Sequence, residues 1–199
     1  MPLTFHIEHG IKDPEFERFR QYFRATEEDM KLKSGQLEKK KREFINQKKK
    51  KSKGLNSAKL ACLSEEEDED EEYLKECGDD VEAFFGVRVP RNIWILKPGE
   101  NSNRGNGITV CNTVREVISE INSSEKADHT HIIQRYIERP LLISNRKFDI
   151  RCFCMLTSIN GIMKGYFYED GYIRTSSCEF DLEDLGNRFI HLTNDAVQK

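Results

Sequence analysis

Two blocks of like charge divide this chain and limit where a core can form. Residues 31–53 are crowded with lysine, including Lys39-Lys40-Lys41-Arg42 and Lys48 through Lys51. An unbroken acidic run follows from Glu65 through Glu72. Like charges repel one another and resist burial, so both blocks are expected to be solvated and the core must come from residues on either side. A hydrophobic content of 37% against a charged content of 34% over 199 residues agrees with a modest folded region carrying a solvated segment. The net charge of −3 conceals this local polarity. The basic block suits an acidic polymer, either nucleic acid or an acidic protein surface, and equally suits a solvated insertion with no partner.

Some function classes are disfavoured at once. The N-terminus carries no basic-then-apolar leader and no apolar run reaches about 18 residues, so neither secretion nor membrane spanning is supported. The six cysteines are therefore expected as reduced thiols. Cys152 and Cys154 sit two apart in a strand-like run and are expected on one core face. No second pair has the spacing of a zinc site. No Ser/His/Asp, Cys/His or paired-carboxylate set stands out, which leaves hydrolysis unsupported.

Local patterns place the elements. Residues 2–7 alternate as a short strand. Asp13-Pro14 then opens a helix, with Asp as N-cap and Pro at the first helical position. Phe16, Phe19 and Phe23 recur on one face of it, and a second helix is expected to start after Thr26. From Ser34 to about Cys77 no apolar periodicity is visible, and mostly disorder is expected, with some lysine-rich helix. Order returns near Asp79-Asp80 with a short helix through Phe84-Phe85, stopped by Gly86. Residues 92–97 form a hydrophobic strand ended by Pro98-Gly99.

Thr113 and Glu116 make a capping box ahead of Val114, Val117, Ile118 and Ile121, a helix with one apolar face. Residues 131–137 and 147–158 read as strands. Residues 165–176 read as a hairpin turning at Glu169-Asp170-Gly171. Strands, helix and hairpin mixed in this way make the ordered part α+β.

The stretch Lys147-Phe148-Asp149-Ile150-Arg151-Cys152 is the most informative. Alternation puts Lys147, Asp149 and Arg151 on one face, about 7 Å apart in a row, and Phe148, Ile150 and Cys152 on a core face. Spacing alone leaves two readings open, a binding face or a solvent-facing ladder of ion pairs. Lys97 ends an apolar strand just before the Gly/Asn-rich loop of residues 99–107, and from there a lysine can reach a polyphosphate. The loop contains Arg104, Gly105, Asn106 and Gly107; it is neither a Walker A loop nor a dinucleotide fingerprint. An ordinary surface turn remains open there. Gln134, Arg135, Tyr136 and Ile137 end a strand where backbone groups could pair with the edge of a base. His191-Leu192-Thr193-Asn194 offers polar groups near the last residues, with His191 expected to be structural.

Taken together, residues 94–98, 103–108, 134–142, 147–151, 168–174 and 191–194 resemble, in order and approximate spacing, the motifs of the tubulin tyrosine ligase-like family. The resemblance runs from about residue 91 to 199, with a weaker echo in residues 2–23, and the charged middle looks like an insertion. It implies an ATP-grasp-like α+β fold, incomplete at the C-terminus, with a disordered charged insertion. The division expected is an N-terminal strand and helix of the ligase fold in residues 1–30, the low-complexity insertion in 31–78, and a truncated nucleotide-binding region in 79–199.

By family pattern, Lys97, Lys147 and Phe148 lie at the nucleotide, Gln134 through Ile137 line the adenine, and Asp149 meets the ribose. Arg104, Gly105, Asn106 and Gly107 belong to a loop over the phosphates or the protein substrate, and Thr193 and Asn194 lie near the phosphates. Arg151 and Arg174 face the reacting carboxylates as catalytic residues, and Arg174 and Lys199 are placed at the substrate.

The activity so implied is ATP-dependent ligation of glutamate, glycine or tyrosine to a carboxylate of a tubulin tail through an acylphosphate. The partners are tubulin or microtubules and a free amino acid, with no nucleic acid and no membrane. The location is cytoplasmic, with cilium or axoneme following from family habit. ATP and magnesium are the expected cofactors. The family's magnesium ligands follow the His-Leu-Thr-Asn motif and are expected beyond Lys199, so no metal ligand is assigned here. A truncated, non-catalytic fragment that binds ATP or tubulin is the alternative reading. Glutamate-adding members usually carry Tyr-Ser where Asp195-Ala196 stand, which weakens a glutamylase reading without selecting tyrosine or glycine.

Overall fold

Strand β1 (Thr4–Ile7) buries Phe5 and Ile7 and exposes Thr4 and His6, the alternation expected of a half-buried strand. A computed structural model describes residues 1–53, 66–78, 80–99, 104–123 and 130–199, with only the backbone described for residues 52, 53, 66–69 and 73. Cys62, Asp79, residues 100–103 of the glycine-rich loop and part of the acidic run lie outside the described residues. The chain forms two units, one of Met1–Arg20 with Ile93–Lys199 and one of Gln21–Asn92.

In the first unit, β1, β2 (Trp94–Pro98), β3 (Thr109–Cys111) and β4 (His131–Arg135) form an antiparallel sheet in the order β1-β4-β2-β3. Its register divides the side chains between two faces. One face carries Phe5, Ile7, Trp94, Leu96 and Ile133, all buried. Phe19 of helix α1 (Pro14–Lys53) meets Trp94 edge-on at 5.0 Å and Phe5 at 5.7 Å, an arrangement favoured by the ring quadrupoles. The aromatic face read from the sequence thus finds its partner. The helix begins where expected: Asp13 accepts from the backbone N–H of Glu15 at 2.8 Å, and also from Glu8 and His9. The opposite face of the sheet carries Thr4, Gln134, Ile95 and Lys97.

Helix α4 (Val114–Ser123) follows its capping box: Glu116 N–H donates to Thr113 Oγ1 at 3.2 Å, and Glu116 Oε2 accepts from Asn112 N–H at 3.0 Å. Val117 and Ile121 are its buried residues.

A second antiparallel sheet has the order β5-β6-β9, from Leu142–Ile143, Arg146–Arg151 and Tyr172–Thr175. Strands β7 (Cys154–Ile159) and β8 (Ile162–Phe167) form a separate hairpin. This differs from expectation in two ways. The long strand over residues 147–158 is interrupted at Cys152-Phe153. The hairpin also turns at Asn160-Gly161, not at Glu169-Asp170-Gly171, and β9 pairs with β6. Asn160 and Gly161 both have positive φ, 53° and 77°, the requirement of a two-residue turn that matches strand twist.

The face expected to be core is also exposed: Ile150 is 61% accessible, and Cys152 and Cys154 are exposed free thiols. Alternation reports which side chains share a face, and not whether anything covers that face. Two short helices, α5 (Arg188–His191) and α6 (Asp195–Gln198), end the unit.

In the second unit the stretch expected to be mostly disordered is substantially helical. Helix α1 continues unbroken to Lys53 with no new start after Thr26, whose hydroxyl donates to the Tyr22 carbonyl. Helix α2 spans Glu66–Lys75 and α3 spans Val81–Phe85, stopped by Gly86 at φ 62° as expected. Lysine, glutamate, glutamine and arginine are all good helix formers. Intrahelical pairs such as Lys33–Asp29 and Lys41–Glu38, both at 2.8 Å, add to that. A stripe at helical spacing does exist: Leu37, Lys41, Phe44, Ile45, Lys48 and Lys49 are buried or half-buried. It escapes a hydrophobicity pattern because three of its six members are lysines that cover apolar surface with their stems.

Candidate nucleotide site

The site is built on the second face of the β1-β4-β2-β3 sheet and on strand β6. Two half-buried cations form its centre. Lys97 Nζ donates to Gln134 Oε1 at 2.9 Å, and Gln134 Nε2 in turn donates to Thr4 Oγ1 at 2.9 Å. Neighbouring strands of one sheet thus hold the Lys97 ammonium in place through a neutral amide. Lys147 Nζ donates to Tyr136 Oη at 3.1 Å and to the His191 carbonyl at 3.0 Å. It also stands 4.5 Å from the centre of the Tyr136 ring. Burial, and after it the Lys97 charge, pushes the Lys147 ammonium down to about 8 against the opposing effect of Asp149. Lys97 is likewise lowered by burial. Two neighbouring ammonium groups, both lowered by burial and one of them further by the other's charge, form a ready place for an anion.

Beneath Lys147 lies a chain of hydrogen bonds whose directions can be deduced. His191 Nε2 sits 2.9 Å from the Asp184 carbonyl, which only accepts, so Nε2 carries the proton. Burial, and after it the Lys147 charge, depresses His191 and keeps the ring neutral, while the hydrogen bond to Asp184 works the other way. Nδ1 is therefore an acceptor, and the Tyr136 hydroxyl donates to it at 2.9 Å. The tyrosine oxygen is left to accept from Lys147. Tyr136 also closes a small core with Ile93, Ile95 and Leu192.

Along β6, the face expected to carry charge does so. Asp149 accepts two parallel hydrogen bonds from Arg174 of the paired strand β9, from Nε and Nη2, each at 2.8 Å. Thr193 Oγ1 donates to the same carboxylate. Burial works to raise the Asp149 carboxyl, but the bonds from Arg174 and Thr193 hold it below its ordinary value. An open cleft of about 430 Å³ adjoins this pair, lined by Tyr172, Arg174, Thr193, Asp195 and Gln198 among others.

The structure therefore brings together Lys97, Gln134, Tyr136, Lys147, Asp149, Arg174 and Thr193. Gly105 and Asn194 also meet: a Cβ at Gly105, whose φ is 84°, would lie 3.0 Å from Asn194 Oδ1. Arg188 Nη2 fixes that loop by donating to the Gly105 carbonyl at 2.6 Å.

Other candidates are not gathered. Arg135 lies on the opposite sheet face, over Trp94 at 5.3 Å, and pairs with Glu138. Ile137 is exposed, Phe148 is on the far face of β6, and Arg104 and Asn106 are exposed; Arg151 is exposed too but stays on the charged face of β6, where its charge helps to lower the Asp149 carboxyl. Gly107 lies against Pro98. Lys199 is 77% exposed and pairs with Asp195 at 2.9 Å. Among the described residues no three His, Cys, Asp or Glu side chains are grouped to hold a metal ion.

Arg188, Ser176 and Gln198 were not found from the sequence. Ser176 is fully buried, receives the Lys147 N–H at 3.2 Å and donates to the Cys178 carbonyl at 2.8 Å. Gln198 binds the Ser177 N–H and the Leu192 carbonyl. Gly105, Lys147 and Ser177, the partners that tie these three residues to other elements, are 83, 29 and 21 residues away in sequence, and no local spacing announces them.

A model of the tubulin-tyrosine ligase family matches residues 6–199. Tubulin glycylase 3C of Tetrahymena thermophila is 44% identical over 108 residues, covering 54% of this chain and 10% of that protein. Tubulin glycylase 3B of Drosophila melanogaster is 44% identical over 109 residues, 55% of this chain and 14% of that protein. Human tubulin monoglycylase TTLL3 is 42% identical over 111 residues, with the same shares of 55% and 14%. The matched stretch is thus a small part of each relative. Among solved structures, the C-terminal domain of K. lactis Pby1, an ATP-grasp enzyme interacting with the mRNA decapping enzyme Dcp2, is 25% identical over 60% of this chain and 30% of that one, with a TM-score of 0.30. The family match agrees with the ATP-grasp-like α+β class implied by the sequence motifs. The chain belongs to the tubulin-tyrosine ligase family.

Proposed function

We propose that this chain carries nucleotide-binding and carboxylate-binding parts of an ATP-dependent ligase that joins glycine to a carboxylate of a tubulin tail. The observation that carries the reading is the half-buried pair Lys97 and Lys147 beside the Arg174–Asp149–Thr193 cluster. Glycine is chosen over glutamate and tyrosine because the relatives above are named tubulin glycylases.

When bound, ATP supplies the phosphoryl group that activates the tail carboxylate as an acylphosphate, from which the incoming amine displaces phosphate. The chain's own residues bind and neutralise. Lys97 and Lys147 offset phosphate charge, held by Gln134 and by the Tyr136–His191 chain. Asp149 fixes the guanidinium of Arg174 so that it faces the cleft with no freedom to lose on binding. The Gly105 loop, fixed by Arg188, lies against Asn194 and offers backbone at close range. The described residues provide no donor set for magnesium, and none is assigned to it.

The test is direct. The full chain should bind an ATP analogue, and Lys97→Met with Lys147→Met should abolish that binding while the fold is retained. Labelled glycine should enter tubulin in preference to glutamate or tyrosine in an assay with this chain and with a longer product containing it. Absence of nucleotide binding in both would end the proposal.

A further inference from the structure

Within the second unit, two lysines of α1 pair with carboxylates of the chain's own acidic segment, Asp70 of α2 and Glu76 just after it. Lys48 Nζ donates to Glu76 Oε2 at 2.5 Å, just past the end of α2. Lys49 Nζ lies 2.9 Å from Asp70 Oδ1, a charge contact without hydrogen-bond geometry. Beside these charges Phe44 of α1 meets Phe84 and Phe85 of α3 edge-on at 5.5 and 5.7 Å, and Lys48 lies 5.5 Å from the Phe44 ring. Lys40 Nζ donates to the Phe85 carbonyl at 2.7 Å.

We propose that Lys48 and Lys49 of α1 form a binding surface for acidic polypeptide tails, occupied in this structure by Asp70 of α2 and by Glu76 just after it as an intramolecular competitor. Charge complementarity is the argument. The segment seated on the lysines is a glutamate- and aspartate-rich peptide, so the surface already displays the chemistry of the partner it takes. It is a peptide surface and not a nucleic-acid one because these lysines are paired with carboxylates, Asp70 and Glu76, beside an aromatic cluster of α1 and α3. Identifying the tail as that of tubulin rests on the function proposed above; the surface itself does not.

Release of α2 then exposes the two lysines. Exposed ion pairs contribute little each, so removing both α2 contacts should tighten binding of an incoming acidic chain by about fivefold. The attraction should fall away as salt shortens the screening length.

The experiment measures anisotropy of a labelled ten-residue oligoglutamate with the full chain at low salt. Asp70→Asn with Glu76→Gln should bind it about fivefold more tightly than the unaltered chain. Adding Lys48→Gln and Lys49→Gln should erase that gain. The charge swap Lys48→Glu with Glu76→Lys should keep the helical hairpin, read by circular dichroism, without any gain in peptide binding. No tightening in the first variant, a gain that survives loss of the two lysines, or stronger capture of a single-stranded DNA of equal charge would overturn the proposal. Binding of an ATP analogue is read in parallel and should be the same in all variants, so a failed nucleotide site and a failed peptide surface give different results.

Discussion

Lys147 Nζ rests on the hydroxyl oxygen of Tyr136, 3.1 Å away, while the same hydroxyl spends its proton on His191. One phenol thereby joins a cation on strand β6 to a ring on α5. Tyr136→Phe removes a single oxygen, leaving His191 Nδ1 without its donor and taking from Lys147 one of its two acceptors. Unsatisfied buried groups of this kind cost about 1–3 kcal/mol. Denaturant unfolding should show that loss, and calorimetry should show weaker binding of an ATP analogue. Unchanged stability would show that the hydroxyl is not holding the lysine.

The Arg174–Asp149 fork is a second connection across strands. Arg174→Lys keeps the charge but cannot make two parallel bonds, and Asp149→Asn keeps the shape without the charge. Because both side chains are part-exposed, the coupling from a double-mutant cycle should be modest, about 1 kcal/mol. The sign with pH is fixed. A carboxyl held below its ordinary value binds its proton less readily in the folded state, so its stabilisation is present above the unfolded value of about 4 and is lost as pH falls below it. Acid titration of the unaltered chain and of Asp149→Asn should diverge only above that range.

Gly105 tests whether the loop must approach Asn194. Its φ of 84° disfavours any side chain, and a Cβ would meet Asn194 Oδ1 at 3.0 Å. Gly161 has a similar φ of 77° but open space around it. Gly105→Ala should therefore cost more than the roughly 1 kcal/mol of backbone strain alone. Gly161→Ala should cost that strain and nothing further. Thermal unfolding of the two variants separates the terms, and only Gly105→Ala should weaken nucleotide binding.

Much of this was legible in the sequence because local rules govern it. Asp13-Pro14, the Thr113–Glu116 box, the Phe84-Phe85-Gly86 stop and the alternation of Lys147 with Asp149 each depend on neighbours within a few residues. Asn160-Gly161 and Asp170-Gly171 are both short turn signals, and the hairpin turns at the first. The two are equivalent as dipeptides, and only pairing with a distant strand decides between them. The Lys147–Tyr136–His191 chain was illegible for the same reason, since the lysine and histidine are 44 residues apart. The helical stripe from Leu37 to Lys49 was missed because half of it is charged. A pattern search counts hydrophobic residues, whereas burial counts methylenes.

The ionisation of Lys147 offers the sharpest check on the cation pair. An ordinary lysine titrates near 10.4, so a value of about 8 means that the folded chain gives up this proton far more readily than the unfolded chain does. Between those values the unfolded state binds more protons, and stability should rise with pH through this window. A polyphosphate needs the charged form, so its affinity should fall as pH climbs past about 8, approaching tenfold per unit while the complex keeps the proton. Carbon-13 NMR of the lysine ε-carbons should show one resonance with a midpoint near 8, and Lys97→Met should move that midpoint upward by removing the neighbouring charge. A Lys147 resonance that titrates with the surface lysines would mean that the ammonium is solvated and that the two cations do not share a site.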